Sequence, residues 1–296
     1  MNQEELKTLV AQILREMSPG KEPAVKASEY RPTTPAEETQ CLEDIAAIDL
    51  RKQYLVENPA DPEAYRRLKE RTPARLGSGR AGPRYKTITQ LRFRADHAAA
   101  QDSVFTEIGP EFAKTNGLVA VETACESREQ YLTRPDLGRR FDEKNSKIIQ
   151  EKLQKGAKIQ LVIGDGLSSA AILTNAMDCA KAICQGLKAD GMDLGSILYV
   201  KNARVGAGDF VGDLTGCQVV CMLVGERPGL VSAESMSAYI TWNPHTGIPE
   251  SKRTVVSNIH RQGTPAVEAG AHIAELLQKI LRAQASGVDL LGGGVQ

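Results

Sequence analysis

KIQLVIGDGLSS at 158–169 and QVVCMLVGERPGL at 218–230 decide the fold. Each is a short apolar run rich in Val, Ile and Leu that ends in glycine and a charged residue. Runs this continuously apolar suit parallel strands covered on both faces. After the first run, Ser168 stands at a helix N-cap position, and the alanine-rich stretch at about 169–188 reads as a helix. Between the two runs, SILYVK (196–201) reads as another strand and GDFVGDLTG (208–216) as a short helix with a glycine stop. MSAYITW (236–242) and RTVVSN (253–258) add further strands, and a closing helix covers 264–284 with Pro265 in its first turn. Strand alternating with helix in short units predicts an α/β fold over 157–290: a Rossmann-like, doubly wound parallel sheet with helices on both faces.

The region before it, 44–156, reads as mainly helical, with a break at Pro73, a helix over 88–107, a short strand in GLVAVETA (117–124) and a polar helix over 141–155. Two basic, glycine-containing loops interrupt it, RLGSGRAGPRYKT (75–87) and YLTRPDLGRR (131–140). With equal numbers of basic and acidic residues, 37 each, the loop at 75–87 reads as a chain-to-chain anchor rather than a nucleic-acid surface. At the N-terminus, Leu6, Leu9, Val10, Ile13, Leu14 and Met17 form one helical stripe within 1–20, and the Pro-, Ser- and Thr-rich stretch 21–43 reads as a flexible linker. A helix on such a tether either docks into a partner's groove or folds back on its own body, and the long polar linker favours docking.

Of the 296 residues, 41% are hydrophobic and 25% charged, which allows an ordinary globular core. The balanced charge gives no reason to expect nucleic acid or an anionic membrane as partner. The sequence contains no apolar run near the ~20 residues a bilayer span requires, and the acidic start does not read as a secretory signal. A cytoplasmic location is therefore expected. The six cysteines form no C-x-x-C pair and the four histidines have no zinc-site spacing, so buried thiols and no metal are expected.

In doubly wound sheets ligands lie outside the carboxyl ends of the strands. Five loops follow the strands: GDGLSS (164–169), NARVGAGD (202–209), GERPGL (225–230), NPHTG (243–247) and SNIHRQGTP (257–265). Convergence of such loops predicts a large ligand crevice. GAGD is not a G-x-G-x-x-G fingerprint and no Walker loop is present, so an NAD-linked oxidoreductase or a nucleoside triphosphate site is disfavoured. Glu226 and Arg227 read either as a surface ion pair or as a carboxylate accepting hydrogen bonds from ligand amides. Asp165, between two glycines, has the same two readings. Cys217 and Cys221, four apart, are expected to face the same side of a strand as core residues. Asp96 and His97 are adjacent on a helix, so they are not expected to share a site. No residues are singled out as catalytic.

Several of these stretches, in order, resemble one family. RLGSGRAGPRY (75–85), LRFRADHAAAQDSV (91–104), YLTRPDLGRR (131–140), GDGLS (164–168), LVGERPGL (223–230) and SNIHRQGTPAVEA (257–269) are similar to the small subunit of ethanolamine ammonia-lyase, over about residues 55–288. The resemblance implies a subunit that is active only with a large TIM-barrel partner, with adenosylcobalamin held between the two, in a higher hetero-oligomer. It implies radical deamination of ethanolamine to acetaldehyde and ammonia. By motif, the family's cofactor contacts fall on Val205, Glu226 and Val255. The last departs from a family member that has cysteine there; a backbone contact would survive that change and a side-chain contact would not. The sequence lacks the D-x-H-x-x-G motif of enzymes that replace the cofactor's base with histidine, so the base-on form is implied. The N-terminal helix also resembles segments that direct ethanolamine-utilisation enzymes into a bacterial microcompartment. The rival reading is a non-enzymatic α/β module that binds nucleotide or RNA through its basic loop.

Overall fold

The computed structural model describes residues 44–292 apart from Pro73 and Asp193. The expected N-terminal helix, the linker and the break at Pro73 lie outside these residues. The described part belongs to one compact unit.

The expected strands form, and their pairing sets the architecture. A six-stranded sheet runs in the order β3-β5-β4-β6-β7-β8, with β3 Val119–Glu122, β4 Ile159–Gly164, β5 Leu198–Lys201, β6 Val219–Gly225, β7 Met236–Trp242 and β8 Arg253–Ile259. The strands β3, β5, β4 and β6 are mutually parallel, whereas β7 and β8 run antiparallel to their neighbours. The sheet is therefore mixed and mostly parallel, not wholly parallel as the sequence suggested. The cause is chain length: β6 reaches β7 through a loop of ten residues, 226–235, with no crossover helix, and a parallel return needs a longer connection. The edge strand β3 enters from upstream of residue 157.

Helices cover both faces. On one face α6 (Met177–Ala189) and α8 (Ala266–Ala283) pack on each other and on Leu161, Ile163, Cys221, Leu223 and Ile240. On the other, α5 (Glu143–Lys152) and α7 (Ala207–Thr215) cover Val162, Val200, Val220 and Met222. All seven residues of β6 are buried, as its unbroken apolar run requires. Cys217 and Cys221 do not share a side: Cys217 precedes β6 and packs under α7, while Cys221 faces α6. Strand alternation fails to relate them because only one lies on the strand. Cys125, Cys179, Cys217 and Cys221 are buried.

The helical region before β3 holds α1 (Pro62–Glu70), α2 (Thr87–Phe105), α3 (Pro110–Thr115) and a small hairpin of β1 (Arg80–Ala81) and β2 (Arg84–Tyr85). α1 is N-capped by Asp61, whose carboxylate accepts from the Glu63 and Ala64 amides. After β3, α4 (Arg128–Thr133) is capped by the Ser127 hydroxyl. The lead into α6 is a turn at Ser169–Ala171, capped by Ser168, followed by a π-helical turn at Ile172–Ala176. No helix among the described residues is long and apolar enough to cross a membrane.

Candidate functional site

The usual crevice of a wound sheet, at the carboxyl ends of β4 and β5, is filled from within. Tyr131 of α4 is fully buried there and donates to the Ala203 carbonyl at 3.1 Å. Burial pushes its phenol up to about 12. The Arg204 guanidinium lies 4.3 Å over the Tyr131 ring and donates to the Tyr131 carbonyl at 3.0 Å. Asp165 is buried and accepts from the Ser169 hydroxyl at 2.6 Å. Burial raises its pKa, opposed by that hydrogen bond and by the Arg128 charge. Asp165 thus braces the interior through Ser169. The second basic loop closes over this plug: an added Cβ at Gly138 would lie 2.7 Å from the Arg204 side chain.

Of the five expected loops, NPHTG (243–247) does not join the others. Because β7 runs antiparallel, its carboxyl end lies at the opposite edge of the sheet. There Asn243 bonds the Gln218 carbonyl just before β6, and Thr246 bonds Asp213 at the end of α7. The loop after β8 does return to the carboxyl edge of β6, since two reversals restore the direction.

A cavity of about 480 Å³ lies at the β3 edge, lined by Glu122, Lys144, Tyr199 and Lys201; the residues expected to meet a cofactor lie elsewhere, on the α7 side of the antiparallel strands. Tyr239 of β7 stands opposite Met222 of β6 and Val255 of β8, so the three share one face. The Tyr239 hydroxyl donates to Glu226 Oε1 at 2.7 Å. Burial and the adjacent Glu226 carboxylate raise the Tyr239 pKa, so the phenol stays protonated and a donor. Val205, at the entry to α7, packs against the same apolar cluster as Tyr239. Val255 is 46% exposed, and Ser257 beyond it on the same face is exposed too. Glu226 and Val255 thus both meet Tyr239, by a hydrogen bond and by strand pairing, while Val205 packs on the wider apolar cluster of the same sheet face. The sequence reading missed Tyr239. The trace it leaves is the alternation in MSAYITW, where Ser237, Tyr239 and Thr241 point one way and apolar residues the other.

The floor of this face is sealed by a buried ion pair. Arg253 donates through Nη1 and Nη2 to Asp209 at 2.6 and 2.8 Å, and through Nε to Glu250 at 2.6 Å. Burial lowers the Arg253 pKa, but the two carboxylates outweigh it and keep the guanidinium charged. Glycines allow the close approach of the β4 and β6 loops: a Cβ at Gly225 would lie 2.0 Å from the Ser168 carbonyl oxygen. The backbone amide of Glu226 is bound to Ser235 O at 2.9 Å, which fixes the start of its loop.

The first basic loop is anchored within the chain. Arg75 bonds Asp96, stacks 4.5 Å from the Phe93 ring and donates to the Leu230 carbonyl at 2.9 Å. Arg92 shares Asp96 at 2.9 Å and reaches the Ile45 and Ile48 carbonyls. Arg75 is thus paired within the chain by Asp96, while Arg80 and Arg84, at the hairpin, are exposed. His97 does not take part in this cluster and is exposed.

These features define a class: an α/β subunit whose strand-end crevice is plugged and whose antiparallel flank presents a carboxylate beside exposed aliphatic surface. The family model for ethanolamine ammonia-lyase light chain (EutC) matches residues 62–291. Curated relatives named ethanolamine ammonia-lyase small subunit include that of Clostridium perfringens, 55% identical over 295 residues, 98% of this chain and all of the relative. That of Clostridioides difficile is 54% identical over 292 residues, and that of Listeria monocytogenes 53% over 294, each again covering 98% of this chain and all of the relative. The chain belongs to the ethanolamine ammonia-lyase light-chain family, the small subunits of a lyase. The similarity extends well beyond residues 55–288, the span legible from the motifs alone. With family membership the non-enzymatic scaffold reading falls away.

Proposed function

We propose that this chain forms one wall of an adenosylcobalamin site that a large partner subunit completes, and that the pair deaminates ethanolamine to acetaldehyde and ammonia. The observation that carries this reading is the Tyr239–Glu226 hydrogen bond beside exposed Val255. A corrin offers a broad apolar ring edged with amides. Val205 and Val255 supply aliphatic surface of that character, and Glu226 keeps Oε2 for an amide or hydroxyl donor while Tyr239 holds Oε1. When bound, the cofactor supplies a carbon radical by cobalt–carbon homolysis.

This chain's own residues bind and orient. Tyr239 fixes the carboxylate rotamer, Gly225 lets the Glu226 loop lie against Ser168, and the Arg253–Asp209 pair holds α7 against the sheet so that Val205 stays in place. The valine at 255, where a family member has cysteine, fits a contact through the backbone or through aliphatic surface. No D-x-H-x-x-G motif occurs in the sequence, which fits a cofactor that keeps its own base. The N-terminal segment 1–20, outside the described residues, is proposed to direct the enzyme into a microcompartment; deleting it should preserve activity and abolish encapsulation.

The test is reconstitution with the large subunit and titration with adenosylcobalamin, following the corrin absorption band and ammonia release. Glu226→Ala should weaken cofactor affinity by about 1–3 kcal/mol, the cost of losing a hydrogen bond to a charged, partly buried acceptor. Unchanged affinity in that variant would refute the site assignment.

A further inference from the structure

The ERPGL and SNIHRQ stretches meet at a cavity that the proposed corrin wall does not use. It has a volume of about 370 Å³ and lies between the turns 227–232 and 258–262, with Arg51 on its rim. We propose that this cavity is a phosphate site, with Arg227 and Arg51 supplying the charge and the His260 turn the frame.

Charge and chemistry point the same way. The chain as a whole is balanced, yet this cavity is lined by two arginines and by Ser232, Asn258, His260 and Gln262, with no carboxylate among the lining residues. A concave surface of one sign focuses the field on an anion. Arginine presents a planar fork that matches two phosphate oxygens. Arg227 has no hydrogen-bond or ion-pair partner among the described residues, and Arg51 only a loose, half-exposed contact with Asp49 at 3.7 Å. Neither guanidinium is committed elsewhere.

The frame is rigid. Asn258 sits at φ 62°, the His260 amide bonds Thr264 O at 3.1 Å, and the Thr264 amide bonds Asn258 O at 2.9 Å. A Cβ at Gly263 would lie 2.3 Å from the Asn258 carbonyl, so the turn closes only on glycine. His260 Nε2 lies 2.7 Å from Asn258 Oδ1, and Nδ1 accepts from the Gln262 amide at 3.3 Å. Burial lowers the His260 pKa, opposed by Glu234, so the ring braces the turn in its neutral form. Arg75 ties the opposite wall through the Leu230 carbonyl at 2.9 Å.

The phosphate could belong to free inorganic phosphate or to the phosphodiester in the nucleotide loop of the corrinoid; only the second source rests on the cofactor reading. The experiment uses the full chain assembled with its large subunit. Inorganic phosphate is titrated into wild type, Arg227→Ala, Arg51→Ala and Arg227→Lys and followed by phosphorus NMR line width. Affinities for adenosylcobalamin and for adenosylcobinamide, which lacks the nucleotide loop, are measured in parallel. Wild type should bind phosphate saturably, the two alanine variants at least tenfold more weakly, and the lysine variant close to wild type. If cobalamin displaces phosphate and Arg227→Ala weakens cobalamin but not cobinamide, the diester is the ligand. If phosphate binds regardless of cobalamin, the site serves free phosphate. If wild type shows no saturable phosphate binding and Arg227→Ala leaves cobalamin affinity unchanged, the proposal is overturned. A null result for Glu226→Ala would remove the corrin wall alone and leave the phosphate titration standing. Since Arg227 is exposed and unpaired, an unchanged melting temperature will show that its variants are folded.

Discussion

The Tyr239 hydroxyl donates to Glu226 Oε1 at 2.7 Å across thirteen residues and two strands that run in opposite directions. Tyr239→Phe removes one hydroxyl and nothing else. It should free the Glu226 side chain to rotate and weaken adenosylcobalamin binding roughly three- to tenfold, the worth of one hydrogen bond. A spectroscopic titration of the reconstituted complex checks this. Tyr239→Phe combined with Glu226→Ala should be no weaker than Glu226→Ala alone, because the tyrosine acts through the carboxylate.

A second expectation concerns the buried Arg253–Asp209 pair, whose side chains are 3% and 8% exposed. Removing one partner strands a charge in the interior. Asp209→Ala and Arg253→Ala should each destabilise by about 3–5 kcal/mol. An apolar double replacement, Asp209→Leu with Arg253→Met, should recover most of that loss, as measured by urea denaturation. If the single variants unfolded at the wild-type urea concentration, the pair would have no structural role.

Asp165 gives a pH dependence with a definite sign. Burial raises its folded pKa above the unfolded value of 3.8, so the folded state holds the proton more tightly. Stability from this group is therefore greatest at low pH and is lost as pH rises through the raised folded value. Asp165→Asn keeps the shape and can still accept from Ser169. The wild-type melting temperature, minus that of the variant, should fall as pH rises above the unfolded value of 3.8. A difference that stayed constant over that range would contradict the assignment.

Much of this was legible in the sequence. The apolar runs at 159–164 and 219–225 announced buried central strands, and Ser168 announced the helix that follows. Strand direction was not legible at β7. Period-two alternation is the same whichever way a strand runs, and only the ten-residue length of the 226–235 connection marks the reversal. That reversal moves the NPHTG loop to the wrong edge and leaves the antiparallel flank open. The plug at Tyr131, against whose ring the buried Arg128 guanidinium also lies at 4.8 Å, was equally hidden, because a buried arginine looks like a surface one until its partners are known. Arg128 donates to the Val104 carbonyl at 2.7 Å, a contact 24 positions away. Val205, Glu226 and Val255 came from motif similarity; Tyr239, whose alternation was visible, gains its link to Glu226 and Val255 from strand register.

Gly225 tests how far the site depends on close backbone approach. A methyl group there would sit 2.0 Å from the Ser168 carbonyl oxygen and 2.9 Å from its carbon, both backbone atoms that cannot swing aside. Gly225→Ala should cost roughly 1–3 kcal/mol of stability through overpacking. It should also displace the neighbouring Glu226, so cofactor affinity falls even where the protein is folded. Gly195→Ala, before the amino end of β5, where the nearest atom lies an ordinary 3.6 Å from the added carbon, serves as the control and should change neither quantity.

Val255 decides between a backbone and a side-chain contact. It lies mid-strand on β8, 46% exposed, opposite Tyr239. Its amide and carbonyl are set by the strand and survive any substitution that keeps β structure, whereas its aliphatic surface does not. Val255→Cys places a thiol there with little change in volume. If the contact is through the backbone, Val255→Cys and Val255→Thr should both bind adenosylcobalamin within about twofold of wild type, since no buried hydrogen bond is lost. Val255→Asp should weaken binding by tenfold or more in either case, because it sets a carboxylate against apolar surface and beside Glu226. A gain of tenfold in Val255→Cys alone would show instead that a thiol there makes the contact and that this chain does without it.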